Sequence, residues 1–143
     1  MRRLILTTAA LALAGAASAQ TTGGSSSQTP DGRGVQAGTY GSGTSGSGGV
    51  GVSGGGTATA NDGGTASTSS DARFNTENDT ARQRSRALAR DDDERARSTT
   101  RTAVRPDGTI RSSSRSFYKK KGERPVIDRQ RTVTNPDGSV RQK

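Results

Sequence analysis

Large apolar side chains are so scarce in this chain that they govern what it can fold into. Beyond Ala19, Leu, Ile, Val and Phe together number 12 among 124 residues. Ordering one residue costs roughly 1–2 kcal/mol of conformational entropy, and a large apolar side chain returns only about 1.5–3 kcal/mol when fully buried. A charged chain with fewer than about 20% of such residues usually stays unfolded. The absence of Cys removes the disulfides that small exported domains use instead, and the absence of both Cys and His removes the usual zinc and copper sites. The expectation is a mostly intrinsically disordered, low-complexity chain with no cofactor and no metal.

Residues 1–19 read as a secretory signal. Met1-Arg2-Arg3 is the basic start, Leu4 to Ala14 the apolar run, and Ala17-Ser18-Ala19 the small-residue site before Gln20. Eleven helical residues reach only about 16 Å against a hydrocarbon core of about 30 Å, too short to span. Cleavage after Ala19 and a periplasmic, extracellular or cell-surface location follow as expectations.

Composition divides the remainder. Residues 20–70 hold 16 Gly and 19 Ser or Thr with no sustained hydrophobic period, which predicts a flexible tether. Residues 71–98 are charged and rich in helix formers. Thr80 and Gln83 fit a capping box, and Asp91 with Arg95 and Asp93 with Arg97 fit i,i+4 pairs. A marginal, solvated helix is predicted over 80–97, with Leu88 its only large apolar residue.

Residues 99–143 contain an internal repeat: Arg101-TAVRPDGTI-Arg111 returns as Arg131-TVTNPDGSV-Arg141 at a period of 30. Pro106-Asp107-Gly108 and Pro136-Asp137-Gly138 suit three-residue hairpin loops, with proline at the first turn position and glycine at the left-handed one. Val104 would then face Ile110, and Thr134 would face Val140. With a third turn at Lys121-Gly122-Glu123, the segment predicts a small antiparallel hairpin or meander of strands near 99–105, 109–118, 124–134 and 139–142. Its few apolar residues suggest a module that orders firmly only with a partner or by self-pairing.

Several patterns resemble catalytic templates without their context. Gly41-Ser-Gly43-Thr-Ser-Gly46 and Gly46-Ser-Gly48-Gly-Val-Gly51 match a dinucleotide-loop spacing but lack the strand and helix that loop joins. Gly51-Val-Ser53-Gly-Gly55 matches a nucleophile elbow in a chain with no His to take the proton. Asp91-Asp92-Asp93-Glu94 is contiguous, whereas calcium loops alternate their ligands, and Asn61-Asp62-Gly63-Gly64 is one fragment of a calcium repeat that needs several stacked copies. No enzymatic activity and no small-molecule ligand are expected.

Charge is the remaining signal. Residues 20–70 carry a net −1, while residues 95–143 carry 14 basic and 4 acidic groups. The candidate polyanion-binding residues are Arg111, Arg115, Lys119, Lys120, Lys121, Arg124, Arg129 and Arg131, with Phe117-Tyr118 beside them to stack or to sit at an interface. The leading expectation is an exported, basic, largely disordered envelope-associated chain that holds an anionic envelope polymer or lipid surface electrostatically. Two alternatives stand beside it. One is an adaptor whose hairpin edges add strands to an envelope protein; the other is a secreted nucleic-acid binder, placed behind the first.

Overall fold

Strict alternation organises the centre of the chain. From Ala81 to Ala89 every second residue is small and buried (Ala81, Gln83, Ser85, Ala87, Ala89), and arginines or Leu88 stand between them. From Glu94 to Val104 the pattern repeats with Ala96, Ser98, Thr100 and Thr102 inside. Period 2 is the signature of a strand with one covered face. A helix would instead have stacked Arg82, Arg86 and Arg90 on one side at i,i+4 spacing.

The computed structural model describes residues 21–28 (as backbone), 35–46, 49–60 and 63–143. They form nine strands: β1 Thr21–Gln28, β2 Val35–Gly46, β3 Gly49–Ala60, β4 Thr65–Asn75, β5 Thr80–Arg90, β6 Glu94–Val104, β7 Ile110–Lys120, β8 Val126–Thr134 and β9 Val140–Gln142. Every pairing is antiparallel between chain neighbours. One sheet has the order β1-β2-β3 and the other β4-β5-β6-β7-β8-β9. The small sheet lies over the middle of the large one, β3 against β5, β2 against β6 and β1 against β7 and β8.

These findings correct three sequence expectations. The chain is not mostly disordered: the Gly/Ser/Thr tract supplies β2, β3 and β1 of a two-sheet domain. The helix over 80–97 is absent; that segment is the β5–β6 hairpin, with its acidic run as the turn. There Asp91 Oδ1 accepts from the amides of Asp93 at 2.9 Å and Glu94 at 2.6 Å, so the carboxylate shapes a turn rather than pairing along a helix. The strands expected between 99 and 142 coincide with β6 to β9, but they belong to a six-stranded sheet backed by a second one and need no external partner to be covered. The expected signal, residues 1–19, lies outside the described residues.

The physical reason is a core built from small groups. Its fully buried side chains are Val35, Val104 and Ile110 together with alanines, serines and threonines. Glycines in β2 let the sheets approach closely. A Cβ on Gly41 would stand 2.6 Å from Gln83 Oε1 and 2.8 Å from Thr102 Oγ1, and one on Gly43 would stand 3.0 Å from both Ile110 Cγ2 and Val104 Cγ2. Buried hydroxyls are bonded both across the layers, through Thr39, and within the large sheet. Thr39 Oγ1 lies 2.7 Å from Ser98 Oγ and 2.8 Å from Thr100 Oγ1, Thr102 Oγ1 lies 3.0 Å from Ser112 Oγ, and Gln83 Nε2 donates to Ser85 Oγ. A satisfied buried hydroxyl contributes about 0.5–1.5 kcal/mol net, so a hydroxyl core stabilises where an unpaired one would not.

The two proline-aspartate-glycine segments form turns of the same geometry. Gly108 and Gly138 have φ of 77° and 82°, and their amides bond Arg105 O and Asn135 O at 3.0 and 2.9 Å. Asp107 Oδ1 accepts from Thr109 N at 2.9 Å and Asp137 Oδ1 from Ser139 N at 2.8 Å. Val104 faces Ile110 and Thr134 faces Val140. Lys121-Gly122-Glu123 is also a turn, with Gly122 at φ 80°.

Candidate functional site

The small sheet lies on one side of the large one, and no described strand covers the other side. Its residues line up in rows across the strands. One row runs Asp71, Arg84, Arg101, Ser113, Arg131; the next Ser69, Arg86, Thr99, Arg115, Arg129; the next Ser67, Leu88, Arg97, Phe117, Ile127; and the next Thr65, Arg90, Arg95, Lys119. On the opposite flank stands Arg73, Arg82, Ala103, Arg111, Val133, Arg141. Asp71 is the one carboxylate among these positions, and its contact is with neighbouring Arg73 at 3.2 Å. By contrast β1, β2 and β3 contain no charged residue at all. The charge of the described domain therefore sits on one sheet and its turns.

A groove of about 990 Å³ crosses this face. Thr65 and Ser67 border it on the β4 side, Arg129, Arg131 and Lys143 on the β8–β9 side, and Arg84, Arg97, Arg101, Arg115 and Phe117 stand between. Among the described residues these groove-lining guanidiniums have no ion pair with a carboxylate. Arg84 Nε and Arg86 Nε are buried donors with no hydrogen-bond acceptor. Loss of hydration, and then the charges of Arg101, Arg86 and Arg97, hold the Arg84 guanidinium below its ordinary pKa. The face repels itself and offers unused donors, a combination relieved by an anionic ligand with many acceptors.

The sequence-derived candidates divide. Arg111, Arg115 and Lys119 project from β7, and Arg129 and Arg131 from β8, onto this face. Arg115, Arg129 and Arg131 line the groove. Lys120 and Lys121 lie elsewhere: Lys120 Nζ is 3.8 Å from Glu94 Oε1, and Lys121 Nζ is 3.7 Å from Asp93 Oδ1. Arg124 is exposed in the β7–β8 connection. The adjacent aromatics separate, since Phe117 points into the groove while Tyr118 turns to the opposite face and packs beside the small-residue core. Burial, and then a hydrogen bond to Glu94, push the Tyr118 hydroxyl up to about 12.

Sequence reasoning missed Arg84, Arg86, Arg90, Arg95 and Arg97 by placing them on a helix, and Arg101, expected on the strand near 99–105, by leaving it out of the binding set. Their signal was there: each is separated from the next small residue by one position. The expected function of a largely disordered basic chain is corrected accordingly, because the arginines are mounted on a folded sheet that fixes their spacing. The hairpin edges anticipated for an adaptor are also identifiable. β9 pairs with Thr132–Thr134, and Arg131 exchanges backbone bonds with Lys143 at 3.0 and 2.9 Å. Alternate residues of an antiparallel strand direct both backbone groups to the same side. Ile127 and Arg129 therefore send theirs past β9, where no further strand lies among the described residues.

The sequence motifs set aside earlier have structural roles. Gly41 and Gly43 are strand residues beneath which the large sheet packs. Ser53 lies in β3, with its Oγ 2.7 Å from Ser42 Oγ. Residues 47, 48, 61 and 62, which complete two of the motifs, lie outside the described residues. Among the described residues no acidic cluster is arranged to hold a metal ion. No protein-family model matches the chain, and no curated protein or solved structure does.

Proposed function

We propose that this chain is a nucleic-acid-binding module, rather than an enzyme, and that it works outside the cytosol. The observation that carries the proposal is the groove of about 990 Å³ on the outer face of the large sheet, lined by arginines that have no ion pair among the described residues, with the Arg84 Nε donor buried and unbonded. Guanidinium is planar, remains charged, donates to phosphate in pairs and stacks on flat rings, so arginine suits a phosphodiester chain better than lysine does. A groove rimmed at two edges fits a threaded polymer more closely than a flat bilayer. The signal-like start of the sequence supports export.

Salt tests this directly. If about six phosphates are engaged, binding to a single strand should show a log–log salt slope near −4, about a 300-fold fall in affinity between 50 and 200 mM. Fluorescence anisotropy with a labelled oligonucleotide measures it. Arg84→Gln with Arg101→Gln and Arg131→Gln should flatten the slope by about 2. Lys121→Gln, which removes a turn lysine opposite Asp93, should leave it unchanged. Failure to bind any nucleic acid at 50 mM salt refutes the proposal.

A second proposal, strand addition to an envelope protein, is favoured by the unpaired backbone at Ile127 and Arg129. Main-chain pairing should survive high salt. Capture of one folded protein at 500 mM salt, lost on Ile127→Pro, would favour it.

A further inference from the structure

The arginine face is interrupted by one apolar row. Leu88, Phe117 and Ile127 stand on β5, β7 and β8, with Arg97 of β6 between Leu88 and Phe117. Leu88 and Ile127 are 43% and 45% exposed, which is unusual for the only leucine of the described domain and one of its two isoleucines. The row is flanked on both sides by cations: Arg86, Arg115 and Arg129 in one neighbouring row, Arg90, Arg95 and Lys119 in the other. Rows on one sheet face lie roughly 6.5–7 Å apart, and four strands span about 14 Å. The result is an apolar shelf of nucleobase dimensions between two lines of phosphate-binding groups.

Resting on the proposal above, we infer that this site takes single-stranded nucleic acid, with unstacked bases lying on the Leu88–Phe117–Ile127 shelf and backbone phosphates on the arginines either side. A duplex fits the same face poorly. An undistorted duplex shows its base edges in a major groove about 12 Å wide, which admits a helix or a two-stranded ribbon, and in a minor groove about 6 Å wide, and the face of a six-stranded sheet enters neither. A duplex laid on this face would press phosphates against Leu88, Phe117 and Ile127 and leave those side chains facing charge. A single strand turns its bases toward the shelf instead, and stacking on an aromatic ring is indifferent to base identity. Phe117 and Arg97, opposite each other in β7 and β6, supply a ring and a planar cation for two successive bases. The apolar shelf and the arginines recognise bases and phosphates and not the sugar, so RNA and DNA both belong to the ligand class.

The test compares oligo(dT), oligo(rU) and a duplex of equal length with the full mature chain at 150 mM salt. Both single strands should bind at least 10-fold more tightly than the duplex. Phe117→Ala should weaken single-strand binding about 5- to 100-fold while leaving the salt slope unchanged, because it removes stacking and no charge. Since the chain contains no tryptophan, Phe117→Trp installs a lone fluorophore at the shelf. Its emission should be quenched by oligo(dT) and not by the duplex, a readout that a purely structural Phe117 would not give. Equal affinity for duplex and single strand, with Trp emission unaltered, overturns the inference and leaves the broader nucleic-acid proposal standing. Binding to anionic vesicles but to no nucleic acid overturns both.

Discussion

Replacing Gly41 should reveal whether the small sheet is seated on the large one. A Cβ there would lie 2.6 Å from Gln83 Oε1, 2.8 Å from Thr102 Oγ1 and 3.0 Å from Thr100 Cγ2. Thr100 and Thr102 are β-branched, fully buried and hydrogen-bonded to Thr39 and Ser112, so neither can swing aside. Overpacking of this kind costs about 1–3 kcal/mol, and removing a strand glycine returns about 0.5–1 kcal/mol of backbone entropy. Gly41→Ala should therefore lose about 1–2 kcal/mol, and Gly41→Val, with two more methyl groups in the same gap, about 3 kcal/mol or more. For a domain of this size each kcal/mol moves Tm by about 4 °C. Urea unfolding followed by circular dichroism gives the difference, with Thr57→Ala on the exposed side of β3 as a control expected within about 0.5 kcal/mol of the parent. In a flexible tether both Gly41 substitutions would be silent. Parent-like stability for Gly41→Val would refute the close approach of the sheets.

Two further outcomes follow from the turns and the core margin. Gly108→Val and Gly138→Val force a β-branched residue into a left-handed backbone and should each cost about 2 kcal/mol, measurable by chemical denaturation; Gly108 should cost more, because its Cβ would meet Ser45 Oγ at 3.3 Å and Pro136 Cγ at 3.5 Å whereas Gly138 faces open space. Tyr118, raised in the folded chain to about 12 by burial and Glu94, contributes stability that is complete below its unfolded value near 10 and is lost as pH climbs through 12; a thermal melt series from pH 9 to 12 should show that decline, and Tyr118→Phe should remove its tyrosine-linked part.

Legibility of this fold in the sequence depended on which physical signal was weighed. Turn chemistry was plain: Pro106-Asp107-Gly108 and Pro136-Asp137-Gly138 set both hairpins and their pairings, because those loops need proline and glycine at fixed offsets. Counting large apolar residues misled, because Ala87, Ser98 and Thr100 are as fully buried as Ile110. A core can be made of small groups when glycines such as Gly41 bring two backbones together and hydroxyls satisfy one another. Arg82, Arg86 and Arg90 looked like stacked repulsion on a helix, although their alternation with Ala81, Ser85 and Ala89 already marked a strand. At the candidate site, Arg115, Arg129 and Arg131 were anticipated, but Arg84, Arg97 and Arg101 emerged only once neighbouring strands brought them into the same groove. Rows across a sheet join residues far apart in the chain, and no local pattern displays them.

The 30-residue repeat acquires a geometric meaning from the register. Arg101 and Arg131 occupy one row, Arg111 and Arg141 another, and Val104 and Thr134 a third on the inner side. One period therefore moves the chain two strands sideways and returns it to the same height, with every side chain on its original face. An even period preserves that parity; a single-residue insertion within β7 or β8 would drive arginines inward and serines out. Duplicating the unit would widen the sheet by a whole hairpin and add one more cation to the rows of Arg101 and of Arg111. The same stretch of sequence thus serves as a module for widening the sheet, and the number of copies would set how far its arginine rows extend.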